Sequence, residues 1–340
     1  MSPTEPLVVE ALRGGQVESL HAVDAMVASA DGSIAAVYGD GERGVFPRSA
    51  IKALQALPLV ESGAADRFGF TSAHLALACS SHNGEPMHTQ GAAEMLAAAG
   101  LSPICLECGA QLPYHPSDHE ALLKAGKPVT AIHNNCSGKH SGFLAFAVQQ
   151  DLEPAGYVKF GHPVQKEIAG VLEQVTGAVH GEDNYGIDGC SIPTYEIPLA
   201  SLAKAYAKFA IGEDAGKERS AAMLRLRDAC MAHPEMVAGT GRFDTAIMQA
   251  LPGRVFTKTG AEGVFVLTIP ELGLGAALKC RDGAGRAAEV ACAFLVESLL
   301  EESESQLSQD EINALKRLAN PVLKNWNKIE VGSLRMRPAR

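Results

Sequence analysis

Hydrophobic and polar positions near the N-terminus follow a pattern that is typical of β-strands. The apolar-rich runs LVVEAL and Val17 to Ser29 are separated by a Gly-Gly pair, and Asp31-Gly32 precedes a third run, SIAAVYG. An Asp-Gly pair between two such runs is a strong signal for a β-hairpin. The chain is therefore predicted to open with an antiparallel sheet.

The pattern changes after Pro47, where apolar residues recur at helical spacing. A buried helix is predicted to begin near Ser49, and further helices are predicted over about 86–99, 137–150, 162–176, 196–210, 216–232 and 243–250. After Pro252 the pattern returns to strands in RVFTK, GVFVLTI and GAALKC, and an amphipathic helix is predicted from about Arg286 to Glu302.

Strands at both ends of the chain must pair around this helical middle. That arrangement predicts a mixed α/β (α+β) fold, in which helices sandwich an antiparallel sheet. We expect one compact unit over residues 1–340, with sheet from about 5–45 and 252–300 and a helical region over about 85–250.

Composition and charge exclude several classes of protein. The hydrophobic fraction of 46% indicates a well-packed globular chain, and 29 Lys and Arg against 39 Asp and Glu give a net charge of −10, which disfavours a nucleic-acid partner. No apolar run reaches the roughly 18–20 residues of a membrane helix, and the N-terminus lacks the pattern of a secretory signal. We therefore expect a cytoplasmic protein with no membrane partner.

Two further features of the composition have a simple interpretation. The basic residues Arg335, Arg337 and Arg340 at the C-terminus are interpreted as a solvated tail. The eight cysteines are expected to be reduced thiols or metal ligands, because a disulfide framework is typical of short secreted chains.

The segment RSAIK contains Ser-x-x-Lys at the predicted start of a helix. This spacing places Ser49 and Lys52 one turn apart on the same face. A serine hydroxyl becomes a good nucleophile when a base takes its proton, and a lysine can be that base. Alone, the tetrapeptide is more typical of a capped helix with a surface lysine than of a catalytic pair.

Two more fragments strengthen the catalytic interpretation. Ser81-His82-Asn83 reads as Ser-x-Asn, and Lys258 begins Lys-Thr-Gly. In this order the three fragments are similar to the motifs that form the acylation site of serine β-lactamases and penicillin-binding proteins, although Ser81 follows Lys52 more closely than is usual there. Lys258 could assist proton transfer or bind a substrate carboxylate, and the spacing leaves open which serine attacks.

Other polar residues are candidates for substrate or metal binding. Arg48 can clamp a carboxylate through its planar guanidinium. The run HNNCSGKH opens an apolar helix, and DGCS contains a second isolated cysteine. A zinc site, a catalytic thiol or two buried inert thiols could each account for them. Cys105 and Cys108 resemble half of a zinc site or a redox pair, and no second CxxC completes them. Cys230, Cys280 and Cys292 are interpreted as core residues.

Six segments together resemble one known family. RSAIK, CSSHNGEP, NNCSGKH, DGCSIPTY, HPEMVAGTGRFD and FTKTGAEGVF are similar to the Rhizobium etli-type L-asparaginase family, also called asparaginase II or class 3. The resemblance extends over nearly the whole chain. It implies a homodimeric enzyme with a fold like those of serine β-lactamases and glutaminases, which hydrolyses L-asparagine to L-aspartate and ammonia.

The resemblance also implies a role for individual residues. Ser49 and Lys52 fall on a first Ser-Lys pair, with Ser49 as the nucleophile. Ser81 and Lys258 fall on a second pair, in which Ser81 is preferred to the adjacent Ser80 because it precedes His82.

Substrate and metal ligands follow in the same way. Arg48 falls on the residue that binds the substrate carboxylate, Asp188 on an active-site aspartate, and His82 and Asn83 lie in the same substrate-binding region. Cys136, Lys139 and Cys190 fall on a zinc site in which a neutral amine joins two thiolates, and the zinc is expected to organise the substrate pocket.

Two alternatives to asparagine hydrolysis remain at this point. The same residues could serve a serine glutaminase or a β-lactamase-like amidohydrolase. The cysteines could instead belong to a zinc-binding or thiol-sensing protein without hydrolase activity, for which the relevant residues are Cys105, Cys108, Cys136 and Cys190.

Overall fold

The computed structural model describes residues 4–213, 216–303 and 306–338. Within these ranges the strands are β1 (Leu7–Arg13), β2 (Gln16–Ser29), β3 (Ile34–Tyr38), β4 (Gly44–Val45), β5 (Tyr185–Ile187), β6 (Pro193–Tyr195), β7 (Ile197–Pro198), β8 (Phe256–Thr259), β9 (Val264–Ile269), β10 (Leu274–Cys280), β11 (Val322–Lys324) and β12 (Glu330–Met336). The α-helices are α1 (Lys52–Gln55), α2 (Leu57–Glu61), α3 (Ala64–Arg67), α4 (Ser72–Ala78), α5 (Pro86–Ala98), α6 (Pro116–Lys124), α7 (Ser137–Gln149), α8 (Pro163–Thr176), α9 (Leu199–Ile211), α10 (Lys217–Ala232), α11 (Pro234–Val237), α12 (Phe243–Ala250), α13 (Gly285–Glu302) and α14 (Gln309–Ala319).

The chain divides into two compact units. The first comprises the residues up to Ala50, Ile197–Ile211 and the residues from Ala246 onward, and the second comprises Ile51–Glu196 and Gly212–Thr245. The single compact unit that the sequence suggests stays a prediction.

The first unit contains the main sheet, with the strand order β11-β12-β1-β2-β10-β9-β8 and with β3 also paired to β2. All of these pairings are antiparallel. The long strand β2 joins the two ends of the chain, because it pairs with β1 and β3 on one side and with β10 on the other. The predicted antiparallel sheet, built from N- and C-terminal strands, is confirmed.

Helices cover both faces of this sheet. A Cβ atom on Gly275 of β10 would lie 2.1 Å from the backbone nitrogen of Ala207, so α9 can lie this close only because the residue is glycine. Cys280 lies five residues along the same strand and therefore points to the opposite face. On that face Arg286 of α13 approaches His21 of β2. The predicted arrangement of helices around the sheet is confirmed for this unit.

The second unit is mainly helical, as predicted for the middle of the chain. Helix α4 packs against α5, α7 and α10, and eleven of the thirteen residues of α7 are buried. The short hairpin β5–β6 pairs Ile187 with Pro193 and encloses the turn that contains Asp188 and Cys190.

The helix predicted to begin near Ser49 is present, but it is broken into short pieces. It starts as a 3-10 turn over Arg48–Ile51, followed by the short helices α1 and α2. Pro58 is the second residue of α2 and has no backbone N–H. A helix that continued from α1 would need that N–H for a hydrogen bond, so the helix is interrupted here.

The basic C-terminal segment is not a solvated tail. Arg335 of β12 and the following Arg337 both form ion pairs with the buried Glu10 of β1. Arg340 lies outside the described residues. Pairing with β1 gives the segment a partner that its own residue pattern did not reveal.

The described residues show the state of the cysteines and whether any helix could cross a membrane. All eight cysteines are free thiols, as expected. Among the residues described, none of the helices is long and apolar enough to cross a membrane.

Asp24 of β2 is the centre of a charged network in the first unit. Its side chain is fully buried and accepts hydrogen bonds from Arg281 (2.6 Å), Arg43 (3.2 Å) and the backbone N–H of Asp40 (3.0 Å). Burial by itself raises the pKa of Asp24, but the hydrogen bonds from Arg281 and Asp40 outweigh it and lower the pKa.

We predict that Asp24→Asn lowers the free energy of unfolding by about 2 kcal/mol at neutral pH, because both arginines lose a buried anionic partner. The folded-state pKa of Asp24 is lowered, so the carboxylate stabilises the protein at pH values above the ordinary pKa of Asp. This contribution is lost as the pH falls through the folded-state pKa. Urea unfolding at neutral pH and at about pH 3 measures the effect. Asp66→Asn, at an exposed ion pair, is the control, and equal losses in the two variants would contradict the prediction.

Candidate active site

The start of helix α7 carries two of the predicted metal ligands. Cys136 is the residue that caps the helix, and Lys139 lies one turn later on the same side. Both side chains are buried. The sequence prediction that the run HNNCSGKH opens an apolar helix is therefore confirmed.

The turn between β5 and β6 brings the third predicted ligand to the same place. The backbone N–H of Asp188 bonds to the carbonyl of Ile192 (2.8 Å), and Ser191 adopts a left-handed conformation with φ 75°. This tight turn directs the Cys190 sulfur to 3.1 Å from Lys139 Nζ. The Asp188 Oδ2 atom lies 3.8 Å from the same sulfur.

The two cysteines of this cluster differ in acidity. The hydrogen bond from Cys190 lowers the pKa of Cys136 well below its ordinary value against the opposing effect of burial, and the charges of Lys52 and Lys139 lower it further. The same hydrogen bond, together with burial, raises the pKa of Cys190. Cys136 is therefore the more acidic of the two thiols.

Lys139 is held in its charged form by these neighbours. Burial disfavours the ammonium, but the sulfurs of Cys190 and Cys136 and the carboxylate of Asp188 outweigh burial and raise the pKa of Lys139 to about 12. The cluster therefore holds the Lys139 ammonium next to these sulfur and carboxylate groups.

Lys52 connects this cluster to a serine. Its Nζ atom lies 2.5 Å from the carbonyl oxygen of Ser80, 2.8 Å from Ser81 Oγ and 3.0 Å from Cys136 Sγ. Lys52 is fully buried, and these three acceptors match the three N–H groups of an ammonium. One lysine thus contacts a hydroxyl and a thiolate at once.

The loop after helix α4 determines which serine faces Lys52. The N–H of Ser81 bonds to the carbonyl of Val237 (2.9 Å), and the N–H of His82 bonds to the carbonyl of Asn135 (3.0 Å). With the backbone fixed in this way, Ser81 presents its hydroxyl to Lys52, whereas Ser80 presents its carbonyl oxygen. The Ser80 hydroxyl is buried and has no hydrogen-bond partner among the described residues.

His82 and Asn83, predicted to bind substrate, are both buried and bonded within the second unit. His82 Nδ1 accepts the N–H of Gly84 (3.0 Å), so the other ring nitrogen, Nε2, carries the proton and donates to Ser137 Oγ (3.0 Å). Burial lowers the pKa of His82 well below its ordinary value, which keeps the ring neutral. A direct contact of either residue with substrate stays a prediction.

Asn83 links two loops of the second unit. Its Nδ2 donates to Glu85 Oε1 (2.8 Å) and to the carbonyl of Thr240 (3.0 Å), and its Oδ1 accepts from Arg242 (3.2 Å). Glu85 in turn accepts the N–H of Thr240 (2.8 Å). The quoted segments CSSHNGEP and HPEMVAGTGRFD are therefore in contact.

The remaining predicted residues, Arg48, Ser49 and Lys258, lie in the first unit. Arg48 has a left-handed backbone with φ 52°, which is strained for a residue other than glycine. A Cβ atom on Gly260 would lie 2.4 Å from the carbonyl oxygen of Pro47, so the Lys-Thr-Gly segment packs closely against the turn that carries Ser49. Lys258 is fully buried and its Nζ donates to the carbonyl of Thr259 (2.9 Å).

Sequence reasoning assigned no role to His140 and Tyr157. The Tyr157 hydroxyl accepts the N–H of Glu107 (3.0 Å) and forms a hydrogen bond with His140 Nδ1 (2.6 Å). Burial lowers the pKa of His140 well below its ordinary value, so the ring is neutral. Its Nε2 atom has no hydrogen-bond partner in the described part of the chain. The signal was present, since His140 ends the quoted segment NNCSGKH.

The CxxC pair does not form a metal site with other ligands. Cys105 is partly exposed and Cys108 is buried, and neither belongs to a group of three potential metal ligands among the described residues. Burial and the nearby Cys136 raise the pKa of Cys108 to about 12, which keeps it a thiol.

The donor atoms of Cys136, Lys139 and Cys190 suit the zinc ion that the family resemblance implies. Two sulfurs and one amine converge in a buried cluster, and zinc prefers sulfur and nitrogen ligands. Zinc binding would require Lys139 to release its proton, which a divalent cation at the same position favours. The residues therefore fit a zinc ion.

Comparison with known proteins decides the family. The sequence matches the model of the family described as L-asparaginase II over residues 9–336. The chain belongs to the L-asparaginase II family. The resemblance predicted from the six segments is confirmed, and membership makes the chain an amidohydrolase that acts on a small molecule.

Comparison with solved structures shows weaker similarity to this member of the L-asparaginase II family. A β-lactamase from Mycobacterium bovis has 13% identity and a TM-score of 0.42, over 82% of this chain and 94% of its own. A putative β-lactamase from Bacteroides dorei has 13% identity and a TM-score of 0.39, over 76% and 84%. Mglu in its tris and glutamate form has 14% identity and a TM-score of 0.37, over 91% and 64%. No curated protein sequence matches the chain. These values support no inference about activity.

We predict that Lys139→Met raises the pKa of Cys136, because a cation beside the thiolate is replaced by an uncharged side chain of similar length. The thiolate should therefore form at higher pH than in the wild type. Ultraviolet absorbance of the thiolate, followed during a pH titration of chelator-treated protein, measures the change. In Cys136→Ser the low-pH transition should vanish, which assigns the signal, and an unchanged midpoint in Lys139→Met would contradict the prediction.

Proposed function

We propose that this protein is an L-asparaginase, which hydrolyses L-asparagine to L-aspartate and ammonia through a serine acyl-enzyme with a lysine as base. The observation that carries the proposal is the 2.8 Å contact between Lys52 Nζ and Ser81 Oγ, both of which are buried. Membership of the L-asparaginase II family supports the amide substrate.

The proposed chemistry requires a base within hydrogen-bond reach of the nucleophile. In its neutral form Lys52 would accept the Ser81 proton at the distance observed. Ser81 would in turn accept the proton of Ser49 as the Ser49 oxygen attacks the side-chain amide carbon of asparagine and forms a C–O bond. The C–N bond then breaks as the nitrogen takes the proton held by Lys52 and leaves as ammonia. Water hydrolyses the resulting ester to L-aspartate and restores the serine.

The family resemblance implies Ser49 as the nucleophile with Lys52 as its base, and it pairs Ser81 with Lys258. The observed hydrogen bond supports a partnership of Lys52 with Ser81. Ser49 is only partly buried, which suits a residue that must meet substrate, whereas Ser81 is 4% exposed. Ser49 as nucleophile stays a prediction, and the experiment below distinguishes the two serines.

Charge complementarity suggests how the ends of the amino acid are bound. The planar guanidinium of Arg48 matches the α-carboxylate, and the strained backbone at this residue suits a functional position. The carboxylate of Asp188 matches the α-ammonium. These roles belong to the same proposal.

Zinc would be held by Cys136, Lys139 and Cys190 in this proposal. When bound, it would supply positive charge that fixes the two sulfurs and the β5–β6 turn that carries Asp188. The serine and the lysine carry the bond-making steps. A homodimeric assembly and a cytoplasmic location are further parts of the proposal, the first of which light scattering on the purified protein would test.

We predict that Ser49→Ala lowers kcat for ammonia release from L-asparagine by about 10³-fold or more, because the acyl-enzyme cannot form. Ser81→Ala and Lys52→Met should each lower kcat by about 10²-fold or more through loss of proton transfer. Coupled-enzyme detection of ammonia gives the rates, and mass spectrometry of denatured, quenched protein locates the acyl group.

The control for these substitutions is Ser80→Ala, at the adjacent serine whose hydroxyl does not contact Lys52. Its kcat should remain within about threefold of the wild type, as expected for a group outside proton transfer. Full activity in Ser49→Ala together with an acyl group on Ser81 would move the nucleophile to Ser81. Turnover of L-glutamine or a chromogenic β-lactam in preference to L-asparagine would overturn the substrate assignment.

We predict that removal of zinc raises KM for L-asparagine more than it lowers kcat, because the ion would fix the turn that carries Asp188 while the serine and the lysine make and break the bonds. Chelator treatment and Cys190→Ser should both raise KM by about tenfold or more. Steady-state kinetics with metal analysis on the same preparation measures this. Cys292→Ser, at a buried cysteine of α13 in the first unit, is the matched control, and a fall in kcat at unchanged KM would contradict the assigned role.

A further inference from the structure

A second cluster of metal-binding side chains lies in the first unit, on the sheet. His21, Cys280 and Asp282 each offer one ligand atom, and these atoms all lie within 4.8 Å of one another. Sequence reasoning placed Cys280 in the core and gave His21 and Asp282 no role. The proposed asparagine hydrolysis uses none of the three.

Strand register brings these residues together from distant parts of the chain. Cys280, the last residue of β10, pairs directly with Val23 of β2. His21 lies two residues before Val23 and so shares its face of the sheet. Asp282 lies two residues after Cys280, in the turn that leads into α13. The cluster therefore sits on two neighbouring strands and on a turn fixed by one of them.

The side chains already converge on one another. Asp282 Oδ2 lies 2.6 Å from His21 Nδ1, and Asp282 Oδ1 lies 3.0 Å from Cys280 Sγ. The N–H of Ala284 also donates to Asp282 Oδ1 (3.0 Å), which fixes the carboxylate. His21 and Cys280 are buried, whereas 48% of the Asp282 side chain is exposed, so the cluster has one side open to solvent.

We propose that His21, Cys280 and Asp282 form a site for a divalent transition-metal ion of the zinc class, with water as the fourth ligand. An imidazole nitrogen, a thiolate and a carboxylate are the three ligand types that zinc takes in proteins, and three protein ligands with one open position are a common arrangement. The ion would replace the protons that now join the three side chains, and solvent reaches it past Asp282.

Two arginines lie near the cluster, and one of them must move if a metal ion binds. Arg281, adjacent to two of the ligands, is turned to Asp24 and is neutralised there. Arg286, in the first turn of α13, is exposed and places Nη2 3.4 Å from His21 Nε2. Its charge opposes a bound cation, and its N–H would face the N–H of a His21 ring that binds metal through Nδ1. Arg286 must therefore turn away when the ion binds.

Metal titration of the full-length protein tests the site, with Zn²⁺ for stoichiometry and Co²⁺ as the probe for thiolate ligation. We expect Cys280→Ser and His21→Gln to bind one metal equivalent per chain less than the wild type and to lose part of the thiolate-to-cobalt absorption. Arg286→Gln should bind the ion of this site about fivefold more tightly, because one nearby positive charge is removed.

Cys292→Ser is the matched control, since it removes a buried thiol of the same unit and should leave the stoichiometry unchanged. Circular dichroism identifies a variant that fails to fold, and His21→Gln and Asp282→Asn each test the site independently of Cys280. The same number of equivalents in the wild type and in every folded variant overturns the proposal, as does an unchanged affinity in Arg286→Gln. Ammonia release from L-asparagine is read separately, so failure here leaves the proposed function untouched.

Discussion

The candidate active site depends on one buried cation, Lys52. Moving an ammonium out of water costs several kcal/mol unless its N–H groups find acceptors and its charge finds an anion. Lys52 meets both needs, because a carbonyl oxygen, a hydroxyl and the Cys136 sulfur surround Nζ at 2.5–3.0 Å. The positions of the serine loop and of the start of α7 are therefore linked through this single nitrogen.

The charge of Lys139 is also balanced by neighbouring groups. Lys139 lies beside Cys190, and the carboxylate of Asp188 is close by. Lys52 and Lys139 thus lie beside the sulfurs of Cys136 and Cys190, and the Asp188 carboxylate adds a negative charge next to Lys139.

Much of the architecture follows from local patterns. Apolar residues at a period near 3.6 located α5, α7, α8, α10 and α13, and the Asp-Gly turn located the hairpin between β2 and β3. The pattern failed where local signals were weak or misleading. Strand β12 has mixed, basic residues and is defined by its partner β1 and by Glu10, 325 residues away from Arg335. The first helical segment is broken into short pieces around Pro58.

The sequence by itself determined the family, the antiparallel sheet with its helices, and the presence of serine, lysine and cysteine groups suited to amide hydrolysis and metal binding, because these depend on residue type and short spacing. Only the tertiary structure decided that Lys52 contacts Ser81 and Cys136, that Cys136 is the more acidic thiol, and that His21, Cys280 and Asp282 meet. Those facts depend on strand register, loop hydrogen bonds and burial, which bring together residues as many as 261 positions apart in the chain.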